Sequence, residues 1–163
     1  MPLGKFGKME NLVFENVFLD KTVLVTGHTG FIGSWLVTWL IYLGAKVVGI
    51  SLEPSTNPSL YESNGLKKLM IDYKKDIRNY YEVEGIIKEN RPEFIFHLAA
   101  QPLVLRSYNE PLETFSTNVM GTVNILEAIR NSDSTSVFVN FTSDKCYENK
   151  EIDYSYNEND KLG

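Results

Sequence analysis

Lys21-Thr-Val-Leu-Val-Thr-Gly-His-Thr-Gly-Phe-Ile-Gly-Ser-Trp-Leu36 runs a short β-branched apolar stretch into three glycines spaced three residues apart, and then into a helical pattern. A strand that ends in such a turn, with a helix opening at the last glycine, is the fingerprint of a dinucleotide-binding unit. Gly27 permits the tight turn, Gly30 lets the main chain approach a pyrophosphate with no Cβ between them, and Gly33 lets helix and strand pack closely. The positive end of the helix then faces the anion. Thr29, Phe31 and Ile32 lie within the same candidate cofactor surface, and Trp35, Leu36, Trp39, Leu40 and Leu43 follow at helical spacing. A Walker-type phosphate loop would end in Gly-Lys-Ser/Thr; Gly33-Ser34 carries no lysine. A glycine-rich turn of purely structural origin is the competing reading.

Working outward, short apolar runs predict strands near 22–26, 46–51, 70–74, 94–99 and 136–142, and helical patterns fall near 31–43, 79–90 and 111–131. Strand and helix in alternation build a parallel sheet with right-handed crossovers, covered on both faces. The expected class is α/β, a Rossmann-type doubly wound parallel sheet. The second helix carries Val83, Ile86 and Ile87 on one face, and the third carries Phe115, Val119, Thr122, Leu126 and Ile129; both stripes are expected to pack in the core. Residues 52–60 are rich in turn formers and read as a loop. After Thr142 the chain becomes polar, without a packing pattern, where a doubly wound domain has a further helix and strand. The expectation is an N-terminal tail at 1–16 and a cofactor domain at 17–163, cut short before its last strands and before any substrate domain.

A chain of 163 residues accommodates one domain of ordinary size, and 43% hydrophobic with 23% charged residues is the composition of a globular protein. No apolar run approaches the ~18 residues of a membrane span. Met1-Pro-Leu-Gly-Lys-Phe-Gly-Lys8 leads into no apolar segment of the kind a secretory signal requires, so a cytoplasmic location is the default. The single cysteine, Cys146, has no internal partner, which fits a reducing compartment. A net charge of −5 without a basic cluster lacks the footprint of a nucleic-acid binder. An anionic ligand must therefore be held by local donors.

The acid that accepts from an adenosine ribose is expected about 20 positions past the glycines, where Glu53 stands. Ser51 competes for the role, and a solvated loop glutamate is the plain alternative. No Lys or Arg lies between Lys46 and Lys67 to meet a 2′-phosphate, so NAD is the favoured cofactor. Asp76 and Ile77 follow the third strand, placed for the adenine amino group and ring, or alternatively for the start of a helix. Leu98, Ala99, Ala100 and Gln101 end the fourth strand at the carboxyl edge, where ligands lie in open parallel sheets. His97 reads first as a hydrogen-bonded core histidine and second as a base. Asn118 and Gly121 sit within a helical pattern that neither favours, so each needs a packing or hydrogen-bonding reason; Asn118 is kept as a cofactor candidate. Past the fifth strand, Ser143, Asp144 and Lys145 set a hydroxyl, a carboxylate and an ammonium side by side, suited to acid and base roles or to a strand-end ion pair.

Taken together, Thr26–Leu36, His97–Val104, Thr117–Val123 and Thr142–Asn149 resemble the extended short-chain dehydrogenase/reductase family, and within it the 4,6-dehydratases that act on CDP-glucose. The resemblance covers about residues 17 to 163, including the loop Glu53–Tyr61. It implies an internal redox reaction in which a hydride leaves sugar C4, water is lost across C5 and C6, and the hydride returns at C6, with NAD unchanged overall. By position, Ser143 would bond the C4 oxygen, Asp144 would protonate the departing hydroxyl and Lys145 would take the C5 proton. The family's Tyr-x-x-x-Lys pair would follow Gly163, for Tyr154 and Tyr156 have Glu158 and Asp160 four residues on. These 163 residues alone are therefore expected not to turn over substrate. The full-length family enzymes often form homo-oligomers through two helices per subunit, with residues 111–131 a candidate. Another epimerase or dehydratase of the superfamily, or a non-catalytic nucleotide-binding module, are the alternatives.

Overall fold

The computed structural model describes residues 13–143 and 145–163. A turn at Val13–Asn16, with Phe14, Glu15 and Asn16 at positive φ, leads into β1 (Thr22–Thr26), α1 (Phe31–Tyr42), β2 (Lys46–Ser51), the short α2 (Leu60–Ser63) and β3 (Ile71–Lys74). Next come α3 (Tyr80–Asn90), β4 (Phe94–His97), α4 (Val104–Asn109), α5 (Pro111–Phe115), a π turn at Ser116–Met120, α6 (Gly121–Arg130) and β5 (Val137–Asn140). The five strands are parallel in the order β3-β2-β1-β4-β5. The order reverses between β1 and β4, and beyond the carboxyl ends of those strands a doubly wound sheet opens its ligand crevice.

Alternation along each strand divides the core in two. Val23 and Val25 of β1 and Val47 of β2 meet Val37 and Leu40 of α1, with Tyr61 and Leu66. On the opposite face Leu24, Val48, Ile50 and Ile95 meet Val83, Ile86 and Ile87 of α3 and Ile125 and Ala128 of α6. Each such fully buried Leu, Ile or Val contributes about 1.5–3 kcal/mol relative to exposure. The apolar strands β1 and β2 are thus covered on both sides, as the sequence predicts, whereas in the edge strands Ile71 of β3 and Val137 and Val139 of β5 are exposed.

Strands β3, β4 and β5 are shorter than their apolar runs: β4 closes at His97 and β5 at Asn140. The predicted stripe of the third helix is corrected in part. Phe115 is 68% exposed, and Val119 and Leu126 are nearly half exposed, while Ile125 and Ala128 are buried and Ile129 packs beside them. The π turn explains the shift at Leu126, because it inserts a residue into the helical repeat and rotates the face downstream of it. Helix α4, read from sequence as connection, carries the exposed Leu105 and Tyr108 beside this face. Among the described residues no helix is long and apolar enough to cross a membrane, and no three His, Cys, Asp or Glu side chains are grouped to hold a metal ion.

Candidate nucleotide site

The chain leaves β1 through Gly27, whose φ of +72° is costly for any residue with a Cβ. Its amide donates to Ile50 O at 2.8 Å, and Gly30 N closes the turn on Gly27 O at 3.0 Å. A Cβ on Gly27 would lie 2.8 Å from Ala99 N, and one on Gly33 would overlap the Gly27 carbonyl. The turn is therefore pressed against both β4 and the helix it feeds. Ser34 Oγ donates to His28 O at 3.0 Å and clamps the turn from inside α1. Among the described residues no side chain caps α1. Phe31 and Ile32 are exposed, and the amides of a helix's first turn have no partner within the helix, which makes this end beside Gly30 a ready anion site. This cradle without Cβ atoms fits a dinucleotide pyrophosphate.

Beneath the turn, hydroxyls and a histidine tie β1, β4 and α6 together. Thr26 Oγ1 accepts from Leu98 N and Ala99 N, each at 3.1 Å, and stands 2.7 Å from His97 Nδ1. His97 Nε2 is 3.0 Å from Thr122 Oγ1, which itself donates to Asn118 O at 2.7 Å. With the Thr122 hydrogen committed to Asn118, His97 Nε2–H donates to Thr122 and Nδ1 accepts from Thr26. One neutral tautomer satisfies every group. Burial pushes the His97 pKa down to about 4, in accord with that pattern. His97 is 2% exposed and is the hydrogen-bonded core histidine the sequence suggested.

Asn118 lies in the π turn and bonds the main chain of Gln101 twice, accepting from its amide at 2.7 Å and donating to its carbonyl at 3.0 Å. The Gln101 side chain in turn holds Leu103 N and O, at 2.7 and 3.2 Å, and Thr114 Oγ1 at 3.0 Å. The segment Leu98–Gln101 is thereby fixed along the crevice, with Ala100 exposed. Gly121 has its reason in packing, since a Cβ there would strike the Ile77 side chain.

At the end of β2, Thr29 Oγ1 donates to Leu52 O at 3.0 Å and is 2.7 Å from Ser51 Oγ. The Ser51 hydrogen is committed to Thr29, and Ser51 is 8% exposed. Glu53, with its side chain 75% exposed, holds the accessible carboxylate. The Asp76 carboxylate is engaged by Arg78 through its amide, Nε and Nη2 at 2.5–3.0 Å, which holds its pKa below the ordinary value. Ile77 is 4% exposed and belongs to the core rather than to an open ring-covering surface.

Sequence reasoning missed a cluster on the α1 face. His28, fully buried, passes over Gly49 of β2, where a Cβ would meet its ring, and Nε2 lies 2.8 Å from Asp72 Oδ1 of β3. Tyr61 donates to Asp72 Oδ2 at 2.5 Å, and Lys74 Nζ approaches Oδ1 at 3.2 Å and the Tyr61 ring centroid at 4.1 Å. Burial lowers the His28 pKa, against the pull of Asp72. Burial would raise Asp72, but the Tyr61 hydroxyl, His28 and Lys74 together hold it low. No sequence spacing reveals this group; it follows from the register that sets Gly49 beside Asp72.

Past β5, Phe141 N donates to His97 O at 3.0 Å and carries the chain along the crevice toward Ser143 and Lys145. Both are exposed, and Lys145 N donates to Ser143 Oγ at 3.0 Å. Asp144 lies outside the described residues.

The family model described as GDP-mannose 4,6 dehydratase matches residues 24–162. A CDP-glucose 4,6-dehydratase of Salmonella typhimurium is 48% identical over 93% of this chain and 42% of its own length. A UDP-glucose 4-epimerase of Mycolicibacterium smegmatis is 42% identical over 66% of this chain and 34% of its own. Among solved structures, a UDP-glucose 4-epimerase of Stenotrophomonas maltophila with bound NAD and formylated UDP-arabinopyranose superposes with a TM-score of 0.77 at 26% identity, over 88% of this chain and 43% of that one. A Thermus thermophilus UDP-glucose 4-epimerase in complex with NAD gives 0.75 at 29% identity, over 87% and 44%. The chain spans less than half the length of these relatives.

Proposed function

The chain belongs to the GDP-mannose 4,6 dehydratase family, within the extended short-chain dehydrogenases/reductases, and from that premise we propose that it forms the NAD-binding part of a 4,6-dehydratase acting on CDP-glucose. The observation that carries the reading is the uncapped first turn of α1, set over Gly27 and Gly33 where β1 and β4 diverge. Main-chain amides at Phe31, Ile32 and Gly33 would hold the pyrophosphate, with Gly30 admitting it without a Cβ in the way and Thr29 bracing the turn. Glu53 would accept from the adenosine ribose, Asp76 would border the adenine, and Leu98–Gln101, braced by Asn118, would line the path of the nicotinamide half. NAD bound there supplies a reversible hydride acceptor.

The remaining chemistry falls to residues after β5. The C4 ketone acidifies the C5 proton, which is why oxidation precedes elimination. Ser143 hydrogen-bonds the C4 oxygen, Lys145 removes the C5 proton, and Asp144 protonates the 6-hydroxyl as it leaves. A lysine base acts from its neutral form, which desolvation on substrate binding favours. The 48% identity to a CDP-glucose 4,6-dehydratase supports the choice of sugar nucleotide. Tyr-x-x-x-Lys chemistry and a sugar-nucleotide domain belong to the longer protein this reading calls for, which would act as a homo-oligomer.

The test is incubation of the full-length protein with NAD and a panel of CDP-, UDP-, GDP- and dTDP-glucose. Formation of a 4-keto-6-deoxy sugar from CDP-glucose above the others is the expected result. Binding of NAD without conversion of any of them would overturn the dehydratase reading.

A further inference from the structure

We infer that Glu53 and Lys74 act as a pair that selects the unphosphorylated dinucleotide: Glu53 accepts from the ribose hydroxyls and masks Lys74, whose ammonium would otherwise receive a 2′-phosphate. The inference rests on the proposed dinucleotide site and concerns its adenosine end. By sequence the nearest cations to that end are Lys46 and Lys67, which would leave the ribose edge without a basic group. The fold changes this. The parallel register sets Lys74 beside Ser51, so the carboxyl end of β3 delivers an ammonium to the carboxyl end of β2.

Lys74 Nζ lies 4.0 Å from Glu53 Oε2 and 3.2 Å from Asp72 Oδ1, and it sits over the Tyr61 ring. It is buried, yet among the described residues it makes no aligned hydrogen bond, so its donors are not used up by the ion pairs. Asp72 is divided among partners, since Oδ1 also meets His28 Nε2 and Oδ2 takes the Tyr61 hydroxyl. Asp72 therefore neutralises Lys74 only in part, and Glu53 supplies the rest from the solvent side.

The charge count decides the preference. Asp72 and Glu53 against Lys74 leave the cluster one negative charge in excess, and His28 is held neutral by burial. A 2′-phosphate dianion brought to this edge meets the exposed Glu53 carboxylate first. Two ribose hydroxyls, by contrast, find an acceptor. Without Glu53 the cluster is neutral overall, and Lys74 presents unaligned N–H donors to any anion that arrives, the chemistry a phosphate oxygen seeks.

Dissociation constants for NAD and NADP, measured by calorimetry on the purified protein, test this. The variants are Glu53→Gln and Glu53→Ala, each alone and combined with Lys74→Met or Lys74→Gln. Either Glu53 variant is expected to shift the NADP-to-NAD affinity ratio toward NADP by about tenfold, through weaker NAD and tighter NADP binding. The gain should shrink in high salt, as for an interaction with a partly exposed charge, and disappear when Lys74 is also replaced. An unchanged ratio in both Glu53 variants would overturn the pairing, as would a gain that survives loss of Lys74. Glu53 is exposed, so its variants are expected to fold, and they decide the matter even where a Lys74 change destabilises the protein. Wild-type protein that binds neither dinucleotide would sink the site itself, which is a separate failure.

Discussion

Thr26 Oγ1 and His97 Nδ1 stand 2.7 Å apart, joining neighbouring strands at the point where the sheet order reverses. The hydroxyl serves three partners at once, since it also receives the amides of Leu98 and Ala99. Thr26→Val keeps the shape and removes every one of those bonds, leaving the Ala99 amide and the His97 nitrogen buried without partners. A loss of about 2–4 kcal/mol in urea unfolding is expected, together with weaker dinucleotide binding. Thr26→Ser, which keeps the hydroxyl, should lose about 1 kcal/mol from the missing methyl alone. Equal stabilities for the valine and serine variants would contradict this account.

The same histidine gives a pH signature. The native pKa is about 4 against 6.5 in the unfolded chain, because burial disfavours the charged form. Below 6.5 the unfolded chain binds a proton that the native protein does not, so stability is fully present above 6.5 and declines as pH falls toward 4. His97 alone should cost about 2 kcal/mol between pH 7 and pH 5, and His28 shifts in the same direction. The sequence has no third histidine, and carboxylates weigh in only nearer pH 4.5 and below. Unfolding free energies that stay flat from pH 5 to pH 7 would refute the buried neutral tautomer.

Two glycine-to-alanine changes should act in opposite directions. Gly33→Ala drives a methyl into the Gly27 carbonyl, with an expected cost of about 1–3 kcal/mol and loss of NAD binding. Gly85→Ala in α3 meets nothing within 4 Å and should stabilise by about 0.5–1 kcal/mol through helix propensity, with NAD binding unchanged. Calorimetric melting and NAD titration of both variants give the comparison.

Lys145→Met is expected to lower proton exchange at C5 of the sugar by about 10²–10⁴-fold in the full-length protein, while NAD affinity stays at the wild-type value. Isotope exchange with labelled water measures the first quantity and calorimetry the second. Exchange at an undiminished rate would remove the lysine from its assigned role.

The glycine turn and the succession of strands and helices along the chain were legible because their signals are local: apolar runs of strand length, glycines at fixed spacing, and helices at the 3.6 period. Asn118 and Gly121 were legible as anomalies, and each found its partner, in the Gln101 main chain and the Ile77 side chain. The face of the third helix was read wrongly at Phe115, Val119 and Leu126, at the last because a period assumed constant cannot anticipate a π turn at 116–120. The His28–Asp72 pair and the approach of Lys74 to Glu53 were hidden for a different reason. They join residues 44 and 21 positions apart, and only the register of β2 with β3 brings them together.

Every hydrogen between the Ala99 amide and the Asn118 carbonyl has a single destination, through Thr26, His97 and Thr122 in turn. Such a row conducts no proton and gains no charge near neutrality; it is an insulator laid beneath the glycine turn. A limb in the rate profile between pH 6 and pH 8 then reports on the side chains that follow β5, or on the nucleotide itself, and His97 is struck from the candidates before the first buffer is mixed.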